Sequence, residues 1–216
     1  MKTVLQLHAN KRKINFALLL FSCYSLGLLL IRAKITNSIF LLFLIWNLFL
    51  AFIPYCIMLY IKTELSFQNN KIKIIFYLLI WLLFLPNTFY ILTDFVHLSN
   101  FDSPLFWFDL LLLCSFSIIG FVLGLLSIFE FEEFIKILIN PKIVRILIPF
   151  ICILCGFGIY LGRVKRYNSW DILQHPFQVI FSSIKILESF EVVVFSIQFG
   201  LFIYIFYQLK HYLFTY

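Results

Sequence analysis

The chain has 216 residues, of which 63% are hydrophobic and 12% charged, and its mean hydropathy is +1.02. A soluble domain carries about 25% charged residues; half that leaves too little polar surface to cover a globule in water, so the lipid bilayer must be the solvent for most of the chain. Apolar runs of about 20 residues without period-2 alternation exclude a β-barrel. The fold class is all-α, a polytopic integral membrane helical bundle. The net charge of +7 does not indicate nucleic-acid binding, because the cations lie in short connectors, where membrane proteins carry topology signals.

A basic tail with Lys2, Lys11, Arg12 and Lys13 precedes a first span over 14–31. Its apolar core is too long for a signal peptide and lacks a small-residue cleavage site, so it is read as an uncleaved helix. The second span covers 38–61, with Pro54 as a kink. The third covers 72–92. Its Pro86 has no N–H and crowds the Leu82 carbonyl, and Asn87 and Thr88 are placed to satisfy the freed backbone. A polar segment over 93–103 leads to the fourth span, 105–129. An acidic-basic connector ends at Asn140-Pro141, and the fifth span covers 143–162. Beyond it, Phe177, Ile180, Phe181, Ile184 and Leu187 recur at steps of three and four, which predicts an interfacial amphipathic helix over 172–188. The sixth span covers 192–209. With no repeat or linker, residues 1–216 read as one transmembrane domain. Cys23, Cys56, Cys114, Cys152 and Cys155 all fall within spans, which argues against disulfides. The apolar flanks of Cys152 and Cys155 make packing, not metal binding, the expectation.

With the N terminus inside, 11 of the 17 Lys and Arg fall on the inner side and six on the outer. The positive-inside rule therefore places both termini in the cytoplasm. With six spans, loops three and five emerge together and both face outward. Loop three carries Asp94 and Asp102, with Asp109 just beyond, and no Lys or Arg. Loop five carries Arg163, Lys165, Arg166 and Lys185, an outer excess that needs compensation.

Complementary charge makes an ion pair between Asp94 and Arg163 or Arg166 the first expectation for the outer end. The wider polar cluster comprises Asn87, Asp94, His97, Asp109, Arg163, Arg166, Asn168, Ser169, Trp170 and Asp171. If the third span continues helically, Asp94 and His97 share a face. With Asp102, Asp109, Asp171 or His175 they would offer a carboxylate-imidazole metal site or an acid-base pair. Trp170, Tyr167, Trp107 and Tyr90 suit an aromatic belt, or a headgroup pocket in which Arg163 and Arg166 hold a phosphate. Asn47, Pro54 and Pro86 are weak pointers to the broken, polar helices of transporters. Small residues form stripes, Ser117, Gly120, Gly124 and Ser127 on span four and Gly158 and Gly162 on span five, and predict that these two spans pack closely. No Walker, dinucleotide-binding, HExxH or GxSxG pattern is present.

Leu85-Pro86-Asn87, Tyr90-Ile91-Leu92-Thr93-Asp94 with His97-Leu98, and Gly158-Ile159-Tyr160-Leu161-Gly162-Arg163 followed by Asn168-Ser169-Trp170-Asp171 resemble the two signature blocks of a bacterial membrane-protein family, the domain of unknown function 1361. The resemblance implies a multi-pass protein of the bacterial plasma membrane, and brings with it no established activity, substrate or cofactor. The expected function is an outward polar cluster that binds a lipid headgroup, an anion or a membrane-protein partner. A membrane-embedded enzyme acting on lipid or envelope substrates is the alternative, and a small-solute or ion transporter comes third.

Overall fold

The computed structural model describes residues 2–64, 70–100, 105–167, 174 and 176–214, with no strand among them. The helices are α1 (Lys2–Thr36), α2 (Phe43–Thr63, preceded by the 3-10 turn Phe40–Leu42), α3 (Lys71–Phe84), α4 (Pro86–Tyr90), a 3-10 stretch Ile91–Asn100, α5 (Phe106–Leu138), α6 (Pro141–Arg163), α7 (Pro176–Ile186) and α8 (Phe190–Phe214). Six stretches are long and apolar enough to cross a bilayer: Arg12–Thr36, Phe40–Thr63, Lys71–Leu98, Phe106–Leu138, Pro141–Arg163 and Phe190–Leu209. The protein is a multi-pass helical membrane protein, since only helices satisfy every backbone group inside a lipid-exposed segment. The 11 residues of α7 extend about 16 Å, too short to span. Its Phe177, Phe181 and Ile184 are exposed.

Three span ends differ from the sequence expectation, one of them the end of span three, which reaches Leu98 and not residue 92. α1 runs on through Arg32 to Thr36, and α5 runs on through residues 130–138, which the sequence suggested were a connector. Charge matching explains the extension of α5. Lys62 reaches Glu130 and Glu133, and Lys136 reaches Glu132 one turn away. At 33 residues, α5 is about 50 Å long, more than the roughly 30 Å hydrocarbon layer, so it is long enough to extend beyond that layer.

α5 is the axis of the bundle: 61% of its span is buried, against 22% for α1 and 28% for α8. Leu29 of α1 and Leu44 and Leu48 of α2 pack on its first half around Leu112 and Phe116. Trp81 of α3, Ile148 of α6 and Ile203 of α8 pack on its second half around Ile128 and Phe131. α6 and α8 make the most extensive helix pair. Their backbones meet so closely that a Cβ on Gly156 would lie 2.3 Å from the Ser196 carbonyl oxygen, and one on Gly200 would lie 2.7 Å from Ile153 Cα.

The small stripes do not face each other. Each meets the end of span three, which lies between them. On α5, a Cβ at Gly120 would strike the Thr88 carbonyl at 2.6 Å, and one at Gly124 would strike Thr88 Oγ1 at 2.4 Å. Ser117 donates to the Ile91 carbonyl at 3.1 Å, and Ser127 accepts from Trp81 Nε1 at 2.7 Å. On α6, Gly158 leaves room for Pro86 and Gly162 for Tyr90. Close approach is achieved as the small residues suggested, but with a proline-broken segment as the shared partner.

Substitutions should therefore separate the glycines. Gly124→Leu, Gly156→Leu and Gly158→Leu should each lower stability by about 1–3 kcal/mol through overpacking. Gly27→Leu, with nothing within 4 Å of its Cβ direction, should not. Unfolding of the purified protein in mixed micelles measures all four, and an equal loss at Gly27 would remove close packing as the cause.

Candidate functional site

The site begins with the break at Pro86. Proline interrupts the helix ladder, and the local carbonyls find other donors: Asn87 Nδ2 donates to Phe84 O at 3.0 Å and Thr88 Oγ1 to Leu85 O at 2.7 Å. The chain continues as the short α4 and then as ten residues of 3-10 helix, longer than the usual three or four. Thr93 Oγ1 donates to the Tyr90 carbonyl at 2.6 Å. This path carries Asp94 into the bundle interior, where the residue has no exposed surface.

Both carboxylate oxygens of Asp94 are engaged. Arg163 Nη2, from the last residue of α6, donates to Oδ1 at 3.0 Å, and Asn47 Nδ2 of α2 donates to Oδ2 at 3.0 Å. The same guanidinium donates to the Thr93 carbonyl and, at 3.4 Å, to the Tyr90 hydroxyl, and its carbon lies 5.1 Å from the Tyr90 ring centroid. Spans two, three and five are thus tied at one buried carboxylate. A second ion pair ties span one to span four: Arg32 Nε donates to Asp109 Oδ1 at 3.0 Å and Nη2 to Oδ2 at 3.3 Å. Arg32 is 3% exposed and Asp109 is fully buried. The fork-to-fork geometry is the strong form of such a pair.

The expected cluster therefore divides. Asp94 and Arg163 meet, while Asn87 serves the backbone beside Pro86. The His97 ring rests edge-on against Phe40 at 5.7 Å and Phe43 at 5.3 Å. Asp109 belongs to the Arg32 pair. Arg166 is exposed. Its backbone is left-handed, at φ 58°, which is uncommon for a residue with a side chain, and the chain turns there so that Tyr167 Oη donates to Ser182 of α7 at 3.1 Å. Asn168, Ser169, Trp170 and Asp171, with Asp102 and His175, lie outside the described residues. Among the described residues no three His, Cys, Asp or Glu side chains gather as a metal would require.

Two participants escaped the sequence reading. In the sequence Arg32 has the place of a connector cation, although Asp109 within span four demands a partner and span one ends on the side where span four begins. Asn47 in the sequence points only weakly, toward the polar helices of transporters. An amide in the middle of a span is costly without a partner, which was the available signal.

A family profile described as protein of unknown function (DUF1361) matches residues 46–206. The chain belongs to this family. No curated protein and no solved structure matches it. The DUF1361 match takes in Asn47, Asp94 and Arg163, every side chain of the first polar network, whereas Arg32 of the second pair lies ahead of it.

Breaking a buried pair from one side strands a charge and costs about 3–5 kcal/mol. Asp94→Ala should therefore destabilise the protein more than Asp94→Ala combined with Arg163→Ala. A double-mutant cycle isolates that coupling. The same cycle with Arg166→Ala should give coupling near zero. The reverse ranking of the two arginines would overturn the pairing.

Proposed function

We propose that this DUF1361 protein is a single-domain, multi-pass protein of a bacterial plasma membrane, with both termini cytoplasmic, whose outward end binds anionic lipid headgroups. The observation that carries the reading is what remains once the buried pairs are formed. Of the outer cations, Arg32 and Arg163 are held inside by Asp109 and Asp94. Lys165, Arg166 and Lys185 stay exposed, beside α7 with its exposed Phe177, Phe181 and Ile184. Cations at headgroup level flanking a helix with an apolar face suit an anionic membrane surface. Burial of the two arginines also supports the topology, because they no longer count as free cations on the outer side. A membrane-embedded enzyme using Asp94 would need a carboxylate open to substrate, and both Asp94 oxygens are engaged by Arg163 and Asn47.

Two measurements test this. Reporter fusions after Tyr216 and near Ser99 should report opposite sides, with Tyr216 cytoplasmic; a shared side would sink the six-span arrangement, and an external Tyr216 would sink the orientation. In vesicles mixing phosphatidylglycerol with phosphatidylcholine, the purified protein should retain the anionic lipid preferentially. The combined Lys165→Gln, Arg166→Gln and Lys185→Gln variant should lose about fivefold of that preference for each cation. An unchanged preference rejects the headgroup reading.

A further inference from the structure

We infer that a second, inward-facing lipid site exists, in which the cleft between α3, α5 and α6 holds one acyl chain of an anionic phospholipid. The inference is independent of the outer headgroup reading and concerns the opposite leaflet. Pro86 seated on Gly158 draws α4 and α6 together in the outer half. Toward their N-termini α3 and α6 do not close on each other, and they leave a cleft of about 250 Å³ with α5 as its floor. Its walls include Ile75 and Leu79 of α3 and Leu147 and Leu154 of α6, and its floor includes Phe131, with Trp81 beside it.

The lining is entirely Ile, Leu, Phe and Trp. Its one polar side-chain atom, Trp81 Nε1, is already committed to Ser127. Compact small-molecule pockets start at about 300 Å³ and carry a few convergent polar groups. A smaller, wholly apolar cleft open toward lipid suits a hydrocarbon chain and gives a polar solute nothing to bind.

The headgroup follows from the charges at the cleft's inner end. Both wall helices begin there, at Lys71 and Pro141, so two positive helix ends stand at the same membrane face. Lys71, Lys142 and Arg145, all in the first two turns of these helices, are exposed. The three carboxylates near the end of α5, Glu130, Glu132 and Glu133, share two cations, Lys62 and Lys136, and keep one negative charge in excess. Against that excess stand the three exposed cations Lys71, Lys142 and Arg145, so the balance of these groups is positive, complementary to a phosphodiester carrying net negative charge. A second copy of the chain would bring the same cations to this face and be repelled, which favours lipid over self-association.

Trp81 reports on the cleft. In full-length protein carrying Trp46→Phe, Trp107→Phe and Trp170→Phe, reconstituted in vesicles, phospholipid brominated midway along its chain should quench Trp81. Phosphatidylglycerol should be at least about fivefold more effective than phosphatidylcholine at equal mole fraction. Lys71→Gln with Lys142→Gln and Arg145→Gln should bring the two lipids level. Leu147→Phe, which narrows the cleft, should reduce quenching by both. Lys165→Gln with Arg166→Gln should leave the ratio unchanged, so failure here is separable from failure of the outer site. Four results would overturn the inference: equal quenching by both lipids in the parent protein, a preference that survives loss of the three inner cations, a preference lost with the outer pair, or no quenching by either lipid.

Discussion

A carboxylate taken out of water inside a bilayer must be met by a cation and by further hydrogen bonds, or the fold bears the full cost of its desolvation. Asp94 meets that constraint with donors from two other spans, Arg163 and Asn47. Because these donors come from α6 and α2, satisfying one side chain sets the relative depth of three spans. The Arg32–Asp109 pair imposes the same kind of condition on α1 and α5. Lipid tails are as apolar as leucine, so the hydrophobic effect does not hold helices together in a bilayer, and close packing and polar contacts must do so. Two buried ion pairs add a directional constraint to that packing.

The proline break makes the first pair possible. A continuous helix through residue 86 would have carried Asp94 along a straight span. Instead the chain enters the groove between the small faces of α5 and α6, with Thr88 and Ile91 against Gly120 and Gly124 and Pro86 against Gly158, and turns into a 3-10 path that ends beside Arg163. The stripes are the steric condition for the ion pair. Larger residues there would hold the segment, and Asp94 with it, away from α6.

The two ends of the bundle consequently differ. At the end that holds Asp94 and Arg163 the ionised groups are buried and paired, and Lys165, Arg166 and Lys185 stand exposed on the surface. At the opposite end the ion pairs involve Lys62 and Lys136 with the glutamates of α5, and α3 and α6 are left apart over an apolar cleft. The headgroup reading proposed above rests on these exposed cations, and the engagement of both Asp94 oxygens by Arg163 and Asn47 weighs against chemistry there.

Much of the architecture was legible in the residues themselves. Twenty-residue apolar runs admit only helices in a bilayer, so span number and approximate bounds follow from composition. Alternation of sides follows from counting, and complementary charge on loops three and five was enough to expect Asp94 near an arginine. The choice of Arg163 over Arg166 was not legible, because it depends on α6 ending at Arg163 and the chain turning at Arg166 toward α7. Nor was the dispersal of the polar cluster, since which groups meet Asp109 and His97 depends on what α1, α2 and the 3-10 turn before α2 bring alongside. Gly120 and Gly158 announced close packing, but a stripe specifies a space and not its occupant. Arg32 looked like a connector cation until Asp109 stood opposite it, because burial and pairing are properties of what the other helices bring, which only the tertiary structure decides.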